Sequence, residues 1–270
     1  MLAAIKETVS FIKNKVDFDP EVALILGTGL GGVVEEIEVK HYIDYKDIPN
    51  FPVSTAPSHI GRLIFGMLGG KKCMAMQGRF HYYEGYTMQE LTFPIRVMKY
   101  LGVRYLFVSN ASGGMNPDYE IGDLMIIDDH INLMPNPLIG QHYEEFGDRF
   151  PDMSEAYDKN LVSMAEALAD ESGIKVQKGC YVGVSGPTLE TPKEYQYFRI
   201  IGGDAVGMST VPEVIVAHQM GIPCFAISII TDLGVPGKIV EVSVEDVKKA
   251  AADAAPRMIE LMKQLIQKLE

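Results

Sequence analysis

The sequence has few cysteines, few basic residues relative to acidic ones and no long apolar segment. Its three cysteines, Cys73, Cys180 and Cys224, lie far apart without Cys-x-x-Cys spacing, which predicts reduced core thiols and a cytoplasmic protein. The 24 Lys and Arg against 36 Asp and Glu give a net charge of −12, so a general nucleic-acid or anionic-membrane surface is disfavoured. No apolar run reaches about 18 residues, and the charged start Met1–Lys6 does not resemble a signal peptide. We therefore expect no membrane partner.

Spacing typical of a metal site is also missing. The six histidines lack ligand spacing, and stand at positions 41, 59, 81, 130, 142 and 218. No Lys follows a Gly-rich phosphate loop, which disfavours a nucleoside triphosphatase. We expect neither a metal nor another cofactor.

Apolar segments of strand length alternate with helical segments along the whole chain. The predicted strands are 22–26, 62–67, 72–76, 103–108, 124–127, 175–184, a short segment from 205 and 224–230. The predicted helices are 2–15, 88–100, 158–172, one beginning at Pro192, 211–220 and 244–268. Without linkers or repeats, this alternation predicts one α/β domain over residues 1–270, with a mixed or largely parallel central sheet flanked by helices.

Polar residues follow six of the predicted strands, in segments 27–32, 78–86, 109–114, 185–191, 206–209 and 231–232. The segment from Gly78 to Tyr86 is the richest, with an arginine, a histidine, a glutamate and three tyrosines. Ligands bind at the carboxyl ends of strands in open α/β sheets. Six such ends predict an enzyme-like site more strongly than a binding patch.

The segment Gly27–Gly32 has the form G-x-G-x-x-G after a strand. This pattern is found in dinucleotide-binding proteins, so an NAD(P)-binding protein is one alternative. The same glycines could form a nest of backbone N–H groups for phosphate, assisted by the Thr28 hydroxyl. They could also simply permit a tight turn.

The polar residues at these strand ends fall into three chemical classes. Anion donors are Thr28, Arg79, His81, Ser209 and the backbone of 110–114; carboxylates in apolar surroundings are Glu190 and Asp232; apolar residues for a flat ligand are Leu189, Val206 and Met208. Arginine supplies forked, charge-assisted hydrogen bonds to an oxyanion. Together the classes suggest phosphate and a nucleoside.

Over nearly its full length the sequence resembles the trimeric purine nucleoside phosphorylases. The motifs that carry the resemblance are Gly27–Gly31, Gly78–Tyr86, Asn110–Gly114, Arg149–Ser154, Gly186–Thr191 and Ala205–Val214. The resemblance implies reversible phosphorolysis of purine (deoxy)ribonucleosides, such as inosine and guanosine, to the free base and (deoxy)ribose 1-phosphate in purine salvage. Phosphate would be a co-substrate, and the enzyme a homotrimer.

The resemblance also implies roles for individual residues. Phosphate would be bound by Thr28, Arg79, His81, the Ala111 amide and Ser209; ribose by Tyr83, Met208, His59, Phe150 and the position of Val244; and the base by Leu189, Glu190, Val206 and Asp232. Glu190, Asp232 and His81 would be catalytic, and Glu84 would orient the phosphate site. Phe150 would reach the ribose pocket of the neighbouring subunit.

Three residues depart from the family's usual pattern. Asp232 stands where the 6-oxopurine branch usually has Asn, Val244 where a His usually bonds the 5′-hydroxyl, and Leu189 where Phe often stacks on the base. The first two resemble methylthioadenosine phosphorylases, so a methylthioadenosine or adenosine phosphorylase is the alternative enzyme. We favour 6-oxopurines because Glu190 can accept from N1–H. A non-catalytic nucleoside-binding protein is a further alternative.

Overall fold

The computed structural model describes residues 1–28, 30–55 and 60–270. In these ranges the strands are β1 Val22–Leu26, β2 Glu38–Asp44, β3 Arg62–Leu68, β4 Lys71–Gln77, β5 Tyr105–Gly114, β6 Leu124–Asn132, β7 Val176–Gly183, β8 Ala205–Gly207 and β9 Cys224–Leu233. The helices are α1 Leu2–Lys15, α2 Met88–Leu91, α3 Phe93–Leu101, α4 Lys159–Ser172, α5 Pro192–Ile200, α6 Val211–Gln219 and α7 Val244–Gln267.

The strands form one mixed sheet in the order β2-β3-β4-β1-β5-β8-β7-β6-β9. An additional parallel pairing of β9 with β5 closes the last five strands into a ring. Pairing is parallel for β1 with β4 and with β5, and for β7 with β6 and with β8, whereas β3 is antiparallel to both of its neighbours. The predicted α/β class with a mixed sheet is confirmed.

The core lies around the central strands of this sheet. All five residues of β1 are buried, and nine of the ten in β9 are buried. Such continuous apolar strands form where both faces of a sheet are covered. On one side α7 packs against β9, and it buries an apolar stripe that includes Met258, Leu261 and Leu265. No helix within the described ranges is long and apolar enough to cross a bilayer.

Capping boxes begin the helices that follow the predicted site segments. The side chains of Thr87, Thr191 and Ser243 accept from the backbone N–H three residues later, and the carboxylate of that later residue accepts from the backbone N–H of the cap residue. These are the caps that the sequence predicts, and a cap stabilises a helix by about 1 kcal/mol. The box at Thr191 fixes the direction in which the chain leaves Glu190.

The structure differs from the sequence prediction at several element boundaries. The predicted turn at 109–114 is instead the end of β5, because β8 and β9 both pair with the chain as far as Gly114. The predicted helix 88–100 divides at Thr92, ahead of Pro94, into α2 and α3. The edge strand β2 is mostly exposed, so its sequence lacks the apolar pattern by which strands are recognised.

Candidate active site

One cavity collects residues from all six predicted strand ends. It is lined by Thr28, Arg79, His81, Tyr83, Asn110, Ala111, Ser112, Gly113, Leu189, Glu190, Val206, Gly207, Met208, Ser209, Thr231 and Asp232, together with Val247 of α7. The structure thus brings together all of the predicted phosphate-binding and base-binding residues. Segments far apart in sequence meet because the strands that precede them are neighbours in the sheet.

In the cavity lining, Arg79 is oriented by a buried ion pair. Its Nε–H and Nη2–H groups donate to Oε1 of Glu213 at 3.1 and 3.0 Å, and its Nη1–H donates to the carbonyl of Ser109 at 2.9 Å. Arg79 is 1% exposed and Glu213 is 3% exposed. A charge so far from water is stable only with a partner, so the Glu213 carboxylate balances the guanidinium and fixes its direction.

His81 is held beside Arg79 by Glu84. The backbone N–H of His81 donates to Oε1 of Glu84 at 2.8 Å, and Nδ1 of the His81 ring lies 3.0 Å from the same oxygen. Burial favours a higher pKa for Glu84, but hydrogen bonds from His81 and Thr55 outweigh it and lower the pKa to about 2. The His81 ring also stacks on Tyr83, with 4.7 Å between centroids. Glu84 therefore stays ionised and holds the imidazole in place.

A strained turn presents Ser209. Thr210 has φ +71° and ψ −54°, and the N–H of Val211 donates across it to the carbonyl of Ser209 at 2.7 Å. This is a γ-turn with positive φ, a conformation that is costly for a β-branched residue. The Thr210 hydroxyl accepts from Asn110 at 2.8 Å. The turn places Ser209 at the cavity and begins α6, which carries Glu213.

The same lining contains two carboxyls, Glu190 and Asp232, together with apolar side chains. Asp232 is 8% exposed and Val206 is 2% exposed, whereas Leu189 is half exposed. Burial raises the pKa of Asp232, although hydrogen bonds from Thr231 and Tyr195 oppose the rise. Burial also raises the pKa of Glu190, and the nearby charge of Asp232 adds to that rise. The two side chains can therefore supply one protonated carboxyl and one ionised carboxylate to the cavity.

Two of the predicted ribose residues, Phe150 and Val244, do not line this cavity. Phe150 is 88% exposed in the segment between β6 and α4, and Val244 is 61% exposed at the start of α7. His59 lies outside the described residues. Val247, one turn beyond Val244, lines the cavity instead. Of the predicted ribose residues, Tyr83 and Met208 do lie in the lining.

Sequence reasoning missed two buried residues that act through others. Glu213 lies in a motif that carries the family resemblance, but nothing in the sequence pairs it with Arg79, 134 positions away. Tyr195 donates to Oδ2 of Asp232 at 3.1 Å. The signal available in the sequence was the position of Tyr195 near the start of the predicted helix that follows Glu190, which indicates that it lies close to the site.

The glycine-rich segment after β1 leads into a short 3₁₀ helix, Gly31–Glu36. Dinucleotide-binding folds place a full α-helix there, so the geometry does not favour an NAD(P) site. Over the ranges that the structure describes, no three His, Cys, Asp or Glu side chains are grouped to hold a metal ion.

The chain matches known proteins over most of its length. The family model described as "Phosphorylase superfamily" matches residues 21–267. Purine nucleoside phosphorylase 1 of Bacillus subtilis (strain 168) is 48% identical over 267 residues, which are 98% of each chain. The purine nucleoside phosphorylase of Mus musculus is 45% identical over 96% of this chain and 93% of its own.

Solved structures agree with the sequence matches. The crystal structure of Schistosoma mansoni purine nucleoside phosphorylase in complex with adenosine has a TM-score of 0.94 and 42% identity, covering 98% of this chain and 97% of that one. A Schistosoma purine nucleoside phosphorylase in complex with guanosine has a TM-score of 0.92 and 42% identity, covering 99% and 97%. By the family model and these full-length relatives, the chain belongs to the phosphorylase superfamily, among the purine nucleoside phosphorylases.

Proposed function

We propose that this protein catalyses the reversible phosphorolysis of purine nucleosides to the free base and ribose 1-phosphate. The observation that carries the proposal is a single cavity lined both by fixed anion donors and by a buried carboxyl pair with apolar neighbours. The relatives named purine nucleoside phosphorylase support the same reaction. Phosphate is a co-substrate in this proposal, and no cofactor takes part.

Phosphate binds beside Arg79. Arg79, His81, Thr28, Ser209 and the Ala111 backbone supply its donors in this proposal. Because Glu213 and Glu84 hold Arg79 and His81 in place before phosphate arrives, little reorganisation is needed on binding. A phosphate oxygen then attacks C1′ as the bond to the base nitrogen breaks. The phosphate anion stabilises the positive charge that develops on the ribose.

The purine leaves toward the two carboxyls of the cavity lining. It takes the electron pair of the broken bond, so a donor near N7 must stabilise the negative charge. Protonated Asp232 can be that donor, and its burial supports this role. Ionised Glu190 accepts from N1–H of a 6-oxopurine. Loss of one such preorganised group typically costs about 10²–10³ in rate.

The preferred substrates in this proposal are 6-oxopurine nucleosides. Ionised Glu190 and protonated Asp232 match the N1–H donor and the O6 and N7 acceptors of hypoxanthine and guanine. A methylthioadenosine phosphorylase is the second candidate, and the observation that favours it is the Asp232 carboxyl in the lining. Val247 adds apolar surface there, which a methylthio group would also suit.

We also propose a homotrimer in which Phe150 completes the ribose site of the neighbouring subunit. An aromatic ring 88% exposed, beside Arg149 in a long irregular segment, supports a contact outside its own chain. A cytoplasmic location is part of the proposal. It is supported by the three cysteines, which form no disulfide.

The experiment is base release from inosine, guanosine, adenosine and methylthioadenosine, measured side by side with and without phosphate. We expect phosphate-dependent release, fastest from inosine and guanosine. Glu190→Ala should reduce inosine turnover by at least about 100-fold. A loss within tenfold would remove Glu190 from the base site. Faster cleavage of methylthioadenosine would favour the second candidate, and no phosphate-dependent release from any nucleoside would overturn the proposed function.

A further inference from the structure

Tyr195 of α5 lies against the carboxyl pair without a role in the reaction described so far. It is 5% exposed, and its hydroxyl donates to Oδ2 of Asp232 at 3.1 Å. Tyr195 also opposes the rise that burial causes in the pKa of Glu190. The phenol therefore contacts Asp232 and influences Glu190, the two carboxyls of the cavity lining.

Two glycines keep the Tyr195 ring in this position. A Cβ at Gly234 would lie 2.1 Å from the Tyr195 ring, and a Cβ at Gly113 would lie 2.9 Å from Oδ2 of Asp232 and 3.4 Å from the Tyr195 hydroxyl. Gly113 pairs with Asp232 across β5 and β9. Any side chain at Gly234 would displace the ring. The close approach of the backbone at Gly113 and Gly234 thus allows the Tyr195 hydroxyl to contact Asp232.

A phenol has one proton to donate and lone pairs to accept with. It can donate to Asp232 or to Glu190, but not to both at once. Two carboxyls that share one site do not both ionise readily, so the pair tends to hold one proton. The hydroxyl then donates to whichever carboxyl is ionised, and the other carboxyl keeps the proton.

We propose that Tyr195 is a specificity-determining residue whose hydroxyl lets the Asp232 and Glu190 pair carry its one proton on either carboxyl, so that the cavity also accepts 6-aminopurine nucleosides such as adenosine. This inference rests on the proposed function and extends its substrate class. Tyr195 is a positioning residue in this proposal, because it acts on the base only through the two carboxyls.

The two placements of the proton present different edges to the base. With the proton on Asp232, Glu190 accepts from N1–H and Asp232 donates toward O6 or N7, as a 6-oxopurine requires. With the proton on Glu190, Asp232 accepts from the 6-amino group of adenine. Glu190 then donates to N1, and this hydrogen bond takes over from the donor at N7 in stabilising the negative charge of the departing base. The change moves the Asp232 proton to the phenol oxygen and the phenol proton to Glu190, so the net charge of the pair is unchanged.

Burial makes the adenosine form the more dependent on Tyr195. Asp232 is 8% exposed, whereas Glu190 is only partly buried. When Asp232 is ionised, it has little water to replace a lost phenol donor. When Glu190 is ionised, water can take that place. Removing the hydroxyl should therefore impair adenosine turnover more than inosine turnover.

The test compares kcat/KM for inosine and adenosine in the unaltered enzyme, Tyr195→Phe and Tyr197→Phe. Tyr197 lies on the same helix and is 53% exposed, so it is the matched control. We expect measurable adenosine cleavage by the unaltered enzyme. Tyr195→Phe should lower the adenosine-to-inosine ratio about tenfold or more, as expected for a lost hydrogen bond to a charged group. Tyr197→Phe should leave the ratio unchanged.

A second variant separates this role from structural damage. In an Asp232→Asn background the amide cannot share a carboxyl proton, so adding Tyr195→Phe should not change the ratio further. A purely structural role would lower turnover of both nucleosides alike in both backgrounds, and that result would overturn the proposal. Rapid inosine cleavage with no adenosine cleavage by the unaltered enzyme would also overturn it, while leaving the proposed function intact.

Isothermal titration calorimetry measures independently how many protons the enzyme takes up when a base binds. Hypoxanthine and adenine are titrated into the enzyme with phosphate at pH 7, in two buffers of different ionisation enthalpy. Both bases should bind with almost no net proton exchange, because the proton moves within the pair. Uptake of about one proton with adenine alone would mean that the proton comes from solvent, and would contradict sharing through Tyr195.

Discussion

At the scale of single residues, the cavity depends on ionisable side chains that are held by partners outside its lining. Glu213 holds Arg79, Glu84 holds His81, and Tyr195 contacts Asp232. Each partner removes freedom from a group that must meet substrate in one geometry. A substitution in the lining should therefore keep the hydrogen bond or ion pair with the partner. Otherwise a loss of activity would reflect a loss of stability and not a change in the reaction.

Arg79→Lys tests the phosphate site on this principle. Arg79→Ala would leave Glu213 buried without a counter-ion, at a cost of about 3–5 kcal/mol in stability. Lysine keeps the positive charge but lacks the paired N–H donors of the guanidinium. We expect the KM for phosphate to rise about tenfold or more, because charge-assisted forked hydrogen bonds are lost. The KM for inosine should change much less. Steady-state kinetics with each substrate varied in turn measure both, and an equal rise in the two would remove Arg79 from phosphate binding.

Asp232→Asn tests the proton donor through pH. Burial raises the pKa of Asp232, so its proton persists to higher pH than that of an ordinary aspartic acid and is lost as pH rises through the raised value. An amide donates N–H without titrating. The inosine kcat/KM of the variant, divided by that of the unaltered enzyme at each pH, should therefore rise on the alkaline side. Ionisation of inosine and phosphate cancels in this ratio, and a flat ratio would contradict the assignment.

At the scale of elements, close approach between the ends of β1 and β5 shapes the proposed phosphate site. A Cβ at Gly27 would lie 2.7 Å from the carbonyl oxygen of Ser109 and 2.9 Å from the Cα of Asn110. Backbone atoms cannot yield as a flexible side chain can. The glycine after β1 is therefore required where two neighbouring strands deliver their ends to the same cavity.

Gly27→Ala should destabilise the protein by about 1–3 kcal/mol, the usual cost of overpacking. Gly31→Ala is the matched control, since a Cβ at Gly31 meets no atom within 4 Å, and its stability should stay within about 0.5 kcal/mol. Urea denaturation followed by circular dichroism measures both. If the two variants were equally stable, Gly27 would not be a packing requirement.

At the scale of the whole molecule, the proposed trimer makes each site a product of two chains. Phe150→Ala should lower inosine kcat/KM and leave the circular dichroism spectrum of the folded subunit unchanged, because within its own chain the ring is 88% exposed. Sedimentation equilibrium gives the oligomeric state. A monomer in solution would contradict the trimer, and unaltered kinetics would contradict the role of Phe150.

Complementation tests the same point without reference to absolute rates. Glu190→Ala and Phe150→Ala subunits are unfolded together and refolded as mixed trimers. In some of these trimers a site combines Glu190 of one subunit with Phe150 of its neighbour. Activity should rise above that of either variant refolded alone. If Phe150 served its own chain, no site would regain both residues and mixing would add nothing.

Local sequence patterns were sufficient to predict much of this protein. The alternation of apolar strands with helices predicted the α/β class, and the caps at Thr87, Thr191 and Ser243 marked helix starts. Polar segments after strands identified the lining from Thr28 to Asp232, because parallel strands end at one edge of a sheet. These features follow from backbone hydrogen bonding and side-chain periodicity over a few residues.

Only the tertiary structure decided which side chains hold the site in shape. The closure of β9 onto β5 turned the predicted turn at 109–114 into a strand. The pairing of Arg79 with Glu213 and of Asp232 with Tyr195 joins residues 134 and 37 positions apart. Such contacts depend on burial, since a low-dielectric interior requires each charge to have a partner. No local pattern specifies which distant residue that partner is.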